Sequence, residues 1–321
     1  MKITVLGCGR WGSFIAWYLA GKGNEVTSFG PDDAESFRVL KETGRNEYVT
    51  FPETITLCSD LATVVKDPDA VVCSISSQAL RSFLSREELS EYKKSKKPLI
   101  LCMKGVEEGS GKRLSEVAVE CGFDAQSVAV WVGPGHIQDF TAGIPNCMVI
   151  DSANEALART LCDTFRSPLI RFYYGCDLVG SELGAATKNI MGIAAGMLDG
   201  FGLCTLKGPL MARGAREVAR LIAACGGNEL SAYGLCHLGD YETTLFSKHS
   251  HNRAYGEGYV KGEKFAKLAE GVSTTKAVLS LAKEKGIEMP ITEAVYRILF
   301  EQEDCKTVLL SLFERQSKTE F

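Results

Sequence analysis

Residues 1–30 read MKITVLGCGRWGSFIAWYLAGKGNEVTSFG, and the order of parts in this stretch decides the fold. Ile3 to Leu6 is β-rich, and Gly7, Gly9 and Gly12 then match the spacing G-x-G-x-x-G. WGSFIAWYLAGKG, residues 11–23, continues with helical periodicity and stops at glycine, and EVTSF, residues 25–29, is a second strand. In such a βαβ unit the glycines let the backbone approach a pyrophosphate, whose charge is met by the helix N-terminus. A merely structural turn in another α/β protein is the weaker reading, because strand, turn, helix and strand occur in that order. The stretch predicts a dinucleotide cradle at Gly7, Gly9, Arg10, Trp11 and Gly12.

Beyond it, AVVCSI (70–75), LILCM (99–103) and VAVWV (128–132) read as further strands, separated by helical patterns such as GKRLSEVAVECG (111–122). A doubly wound sheet is expected, with ligands outside the carboxyl ends of its strands. The segments at those ends are chemically loaded: SISSQ (74–78), KGVEEGSG (104–111) and GPGHIQDF (133–140). Position alone reads Lys104 equally as a solvated strand-end lysine or a ligand-facing one.

The chain of 321 residues exceeds what one hydrophobic core usually fills, which favours two domains. With 45% hydrophobic and 24% charged residues it is globular throughout. A net charge of −4, with Lys and Arg dispersed, excludes the electrostatic footprint of a nucleic-acid or anionic-membrane binder and favours small-molecule partners. The 12 cysteines lie singly in apolar runs without any Cys-x-x-Cys pair, which predicts buried, reduced thiols and no metal site. The apolar run before Cys8 is too short for a signal peptide, and Ile190 to Leu206, broken by Asp199, falls short of the roughly 20 residues of a membrane span. A cytoplasmic protein is expected.

Near GCDLVGSELGAATKNIMGIAAGMLDGFG (175–202) the strand patterns give way to helical ones that run to EAVYRILF (293–300) and TVLLSLFERQ (307–316). The reading is therefore a Rossmann-type domain over residues 1–177 and an all-α domain over 178–321. Gly184, Gly192, Gly196 and Gly200 recur at multiples of four, which puts small residues on one helical face where another backbone can approach. Lys188 sits inside this apolar helix. Burial disfavours an ammonium, so its pKa should fall towards the range useful for proton transfer, the alternative being a lysine that snorkels to water.

Taken together, GCGRWG (7–12), KGVE (104–107), GPGHI (133–137), GAATKNIMGIAAGMLDG (184–200), ARGAREVARL (212–221), HLGDYETT (237–244), SHNRAYG (250–256), EGVSTTKAV (270–278) and IEMPITEAVYRIL (287–299) resemble the NAD(P)-dependent glycerol-3-phosphate dehydrogenases along nearly the whole chain. The resemblance implies hydride transfer between a nicotinamide and C2 of dihydroxyacetone phosphate or glycerol 3-phosphate, in glycerophospholipid metabolism. It implies Lys188 as the proton donor and acceptor, Asp240 as its partner and Lys104 on the opposite wall near cofactor and substrate. Gly133, Asn189, Thr244, Ser250, His251, Asn252 and Arg253 are the implied substrate contacts. Ile137 and Glu270 join the glycine turn on the cofactor side. A small phosphorylated substrate is implied, and a homodimer is left open.

The departures matter. Where the family holds phosphate with an Arg-Asn pair, this chain has His251 before Asn252, with Arg253 next. A neutral imidazole lacks the bidentate fork of a guanidinium, so binding is expected to weaken as His251 loses its proton near about pH 6.5. Pro209 is expected to disturb a helix interior. GPGHI puts Gly135 and His136 where the family has a small hydroxyl and an aromatic residue. These differences keep two alternatives open: a reductase of the same fold acting on another small phosphorylated or hydroxylated ketone, and a dinucleotide-binding redox sensor without turnover. FGPDD (29–33) offers Asp32 to the ribose hydroxyl and no arginine for a 2′-phosphate, which favours NAD over NADP.

Overall fold

The computed structural model describes residues 1–317, 319 and 320. Eight strands form one sheet: β1 (Lys2–Leu6), β2 (Glu25–Phe29), β3 (Ile55–Cys58), β4 (Ala70–Cys73), β5 (Leu99–Leu101), β6 (Val128–Val132), β7 (Asn146–Ser152) and β8 (Ile170–Tyr174). Their order is β3-β2-β1-β4-β5-β6-β7-β8, and every neighbouring pair is parallel except β6 with β7. Every residue of β4, β5 and β6 is buried, which is why they read as unbroken apolar runs. The order turns outward from β1 in both directions, so the crevice above β1 and β4 is where such a sheet binds ligands.

Strands β3, β7 and β8 add to those readable in the sequence. The outer edge, β8, is mostly exposed after Ile170, and Arg159 and Arg171 lie over the rings of Tyr174 and Tyr173 at 3.8 and 4.8 Å. Charged groups across an exposed edge discourage pairing with another chain.

After Tyr174 the chain enters a long helix, Leu178–Gly200, with every residue from Gly180 to Leu198 buried. Its start is tied to the sheet layer by the buried Glu182 carboxylate. That group accepts from Arg113 Nη1 (2.6 Å), the Ser115 amide (2.8 Å) and Ser115 Oγ (2.5 Å) on the helix Leu114–Glu120 and its cap. The small-residue face receives the helix His251–Lys261: a Cβ on Gly196 would strike the Arg253 carbonyl, and one on Gly256 would strike the Ile193 carbonyl. The two backbones are in direct contact at that crossing, as the fourfold spacing predicts.

The helix Lys207–Ala224 starts only two residues before Pro209, which corrects the expectation of a disturbed interior. In a first turn the missing N–H has no intrahelical acceptor to lose. Further along it, buried Glu217 accepts from the amides of Ile291 (2.8 Å) and Thr292 (3.0 Å) and from Thr292 Oγ1 (2.7 Å), closing the first turn of the helix Pro290–Phe300. Glu217→Ala leaves those donors without acceptors and is expected to lower the unfolding free energy by about 1–3 kcal/mol, read from urea titration.

All twelve cysteines are free; five are buried, but Cys176 and Cys204 are exposed, which corrects the expectation of uniform burial. Among the described residues no helix is long and apolar enough to cross a membrane.

Candidate active site

The carboxyl ends of β1, β4 and β5 face the Leu178–Gly200 helix across a cavity of about 530 Å³. Its floor is the glycine turn. Gly7 takes φ +105°, and a Cβ there or on Gly12 would collide with the carbonyl of Ser74 or of Gly7. Gly9, by contrast, has open space where its Cβ would stand, and the helix Arg10–Gly21 starts with no side-chain cap. Gly7 and Gly12 thus build the turn, while Gly9 and an uncapped helix N-terminus leave room and donors for an anion. This cradle fits a dinucleotide pyrophosphate.

Opposite the turn, two lysines share one carboxylate oxygen. Asp240 Oδ2 lies 2.8 Å from Lys104 Nζ and 2.9 Å from Lys188 Nζ. Lys104 also donates to the Gly133 carbonyl (2.8 Å) and Lys188 to Thr244 Oγ1 (2.6 Å), while Thr243 Oγ1 donates to Asp240 Oδ1. Burial lowers the Lys188 pKa to about 8, with Asp240 opposing the shift and Lys104 adding to it. For Asp240 burial works towards a higher pKa, but the two ammoniums outweigh it and hold the carboxyl below its ordinary value.

Asp240 is carried on a tight turn, Leu238–Asp240, locked from behind by two buried groups. Tyr241 Oη is 2.6 Å from His237 Nε2, and His237 Nδ1 is 2.9 Å from the Gly184 carbonyl, one helical turn before Lys188. Burial drops the His237 pKa to about 4, so the ring is neutral: Nδ1–H donates to the carbonyl, and Nε2 accepts from the tyrosine. Beside Lys188, Asn189 Oδ1 accepts from Asn252 Nδ2 (3.0 Å), and Asn252 Oδ1 accepts from the Gly271 amide (2.9 Å). Burial raises the Glu270 pKa to about 7, against stabilising bonds from Ser77.

Most of the residues singled out in the sequence meet in this cavity: Gly7, Gly9, Arg10 and Trp11 on one wall; Lys188, Asn189, Asp240 and Thr244 on the other; Lys104, Ser250, His251, Asn252 and Glu270 between them. Five do not line it. Gly12 is packed beneath the turn, Gly133 contributes its carbonyl to Lys104, and Ile137 is fully buried in the apolar core. Asp32 is exposed, accepting from Ser59 Oγ (2.8 Å) and pairing with Lys41 (3.3 Å). Arg253 is turned away, its Nε 2.6 Å from Asp199 Oδ2 and its Nη2 3.2 Å from Glu257. The expected titration of His251 near its ordinary value is also corrected: burial, reinforced by the charge of Arg10, lowers its pKa.

The cavity adds Thr243 and His249, which the sequence reading did not select, and His136, which it noted only as a departure from the family. Their signals are present in ETT, GPGHI and KHSHN, each beside a residue that was selected. A larger groove of about 1070 Å³, lined by Leu198, Leu210 and Leu309 among others, touches neither the glycine turn nor Lys188.

Residues 2–158 match the model of the NAD-dependent glycerol-3-phosphate dehydrogenase N-terminus, and residues 177–310 that of its C-terminus. The chain belongs to this dehydrogenase family. The glycerol-3-phosphate dehydrogenase [NAD(P)+] of Prosthecochloris aestuarii is 38% identical and that of Enterococcus faecalis 35%, with 100% and 99% of this chain covered and 100% and 97% of theirs. The crystal structure of the glycerol-3-phosphate dehydrogenase from Coxiella burnetii superposes with a TM-score of 0.90 at 28% identity, over 98% of this chain and 99% of that one. Within a chain belonging to the glycerol-3-phosphate dehydrogenases, the surroundings of His251 remain the point to explain, because Arg253, two residues on, is engaged elsewhere.

Proposed function

We propose that this chain catalyses the NAD(P)-linked interconversion of dihydroxyacetone phosphate and glycerol 3-phosphate, and that Lys188 is its proton donor. The observation that carries this reading is the buried Lys188–Asp240–Lys104 group facing the glycine turn across one cavity. Gly7, Gly9 and Gly12 would hold the cofactor. When bound, NAD(P)H supplies the hydride that reaches the carbonyl carbon. Lys188 Nζ gives its proton to the carbonyl oxygen, so that ketone, hydride and proton sum to the alcohol; oxidation runs the same transfer backwards. An ammonium held there both offsets the negative charge that develops on oxygen and removes it by proton transfer. Asp240 keeps Lys188 in place, Lys104 adds a second positive charge beside it on the same carboxylate oxygen, and Asn189 and Asn252 offer amides to the substrate oxygens.

The Asp32 carboxylate is already offset by Lys41, so its charge does not exclude a 2′-phosphate, and the chain is read as taking NAD or NADP. We place the protein in the cytoplasm, with the alcohol product entering glycerophospholipid metabolism and the division at residues 177 and 178 separating cofactor and substrate domains, and leave a homodimer open as its assembly.

The test is NADH oxidation in the presence of dihydroxyacetone phosphate; absence of turnover overturns the reading. Its pH dependence carries a sign. Reduction needs the ammonium form of Lys188, so kcat/KM for reduction falls as pH rises through about 8, whereas oxidation needs the free amine and rises through the same region. Profiles that do not change in opposite directions remove Lys188 from that role.

A further inference from the structure

Among the described residues, the cationic side chains that line the cavity are Arg10, Lys104 and Lys188. Both lysines are bonded to Asp240. The guanidinium of Arg10 has no such partner. Among the described residues no carboxylate lies within ion-pair distance of it; its Nη1 donates to the His249 carbonyl (3.2 Å), its plane lies 5.6 Å from the Tyr48 ring, and its Nε is buried without a hydrogen-bond acceptor. A second orphan lies beside it. His136 is 8% exposed, lines the same cavity, packs edge-on against the His249 ring at 5.5 Å, and has a buried Nε2 with no partner. With His251, three of the chain's four histidines line the same cavity as this arginine.

Buried polar atoms without partners are costly. Arg10 Nε is a donor, and His136, which burial keeps neutral with its pKa lowered to about 4, can turn an Nε2–H to the same side, so the two together mark the place of a ligand that accepts. We propose that Arg10 is the permanent cation of a phosphate subsite completed by His136, His249 and His251, and that it takes the part played in the family by the arginine that this chain lacks at 251. The ligand class is a phosphate monoester, and two sources share that chemistry: the substrate's phosphate and the cofactor's own phosphates. The geometry points to the substrate. Arg10 reaches away from the glycine turn to His249, on the segment that carries Ser250 and Asn252, and Asn252 is bonded to the neighbour of Lys188. A guanidinium held there grips one end of a three-carbon substrate while its carbonyl lies at Lys188. This inference rests on the proposed function.

The experiment compares the parent with Arg10→Gln and with Arg10→Gln/His251→Arg. Loss of a charge-assisted bond should raise KM for dihydroxyacetone phosphate by about tenfold or more, and the preference for dihydroxyacetone phosphate over unphosphorylated dihydroxyacetone should fall by the same factor. Because Arg10 also stands at the glycine turn, the NADH dissociation constant, read by fluorescence, should change by a smaller factor than KM does, and the second substitution should restore the lower KM. Calorimetric titration of the NADH-loaded protein with inorganic phosphate should show the same weakening in Arg10→Gln. If NADH affinity falls while the preference for the phosphorylated substrate persists, Arg10 serves the cofactor and the proposal is overturned. If the parent turns over no dihydroxyacetone phosphate, the functional reading fails by itself, and the inorganic phosphate titration still decides whether Arg10 binds phosphate. Should Arg10→Gln not fold, Arg10→Lys, which keeps charge but loses the fork, is read in the same way with a smaller expected rise.

Discussion

Lys188→Ala is expected to lower kcat for dihydroxyacetone phosphate reduction by about 100- to 10,000-fold, the usual contribution of a positioned general acid, while leaving NADH affinity intact. The size reflects how the site is wired. Lys104 cannot move in as a substitute donor, because it is held between the Gly133 carbonyl and Asp240. The fold should survive. Removing one member of a buried ion pair is destructive when it leaves the other uncompensated, but here Asp240 keeps Lys104 at 2.8 Å and the hydroxyl of Thr243. In the proposed arrangement NADH is held by the glycine turn, across the cavity from Lys188. The measurements are steady-state kinetics and NADH fluorescence titration on the same preparation. Parallel losses of turnover and cofactor affinity would make Lys188 a structural residue.

Gly196→Val is expected to be strongly damaging, lowering the unfolding free energy by about 3 kcal/mol or more. An added Cβ meets the Arg253 carbonyl and its flanking backbone rather than a movable side-chain end, so either the two helices separate or the variant does not fold. Separation would also pull Asn252 from Asn189, so any folded fraction should have a raised KM. Gly21→Ala serves as the control: it too lies in a helix, Arg10–Gly21, but its Cβ points into open space and no proline follows it. Alanine there should stabilise by up to about 1 kcal/mol through helix propensity alone. Equal and small effects from the two substitutions would show that the crossing tolerates a side chain.

The parts of this molecule that are legible in its sequence rest on short-range rules. A glycine turn between strand and helix, glycines at every fourth position and a lysine among alanines each state their environment within a few residues, and all three environments are present. Strands β3, β7 and β8 are harder. ITLC has four residues, NCMVIDS carries Asn, Asp and Ser in the one strand that runs antiparallel to β6, and IRFYY lies on an exposed edge, so none is a continuous apolar run. Side-chain partners are harder still. Arg253 stands beside Asn252 in sequence, yet Asp199, 54 residues earlier, takes it out of the cavity. Lys41 does the same to Asp32, and the Lys104–Asp240 pair joins residues 136 apart. Opposite charges brought near one another by the fold pair in ways that no local pattern encodes.

The single carboxylate oxygen shared by Lys104 and Lys188 has a bearing on how the enzyme resets. In the proposed reaction, once Lys188 has given up its proton, the remaining Lys104–Asp240 pair is neutral as a unit and still bonded, so no unbalanced carboxylate is left that could draw the chain into a new arrangement. Between turnovers the chamber therefore needs one proton and no rearrangement. A catalyst built this way is ready again as soon as solvent reaches a single amine.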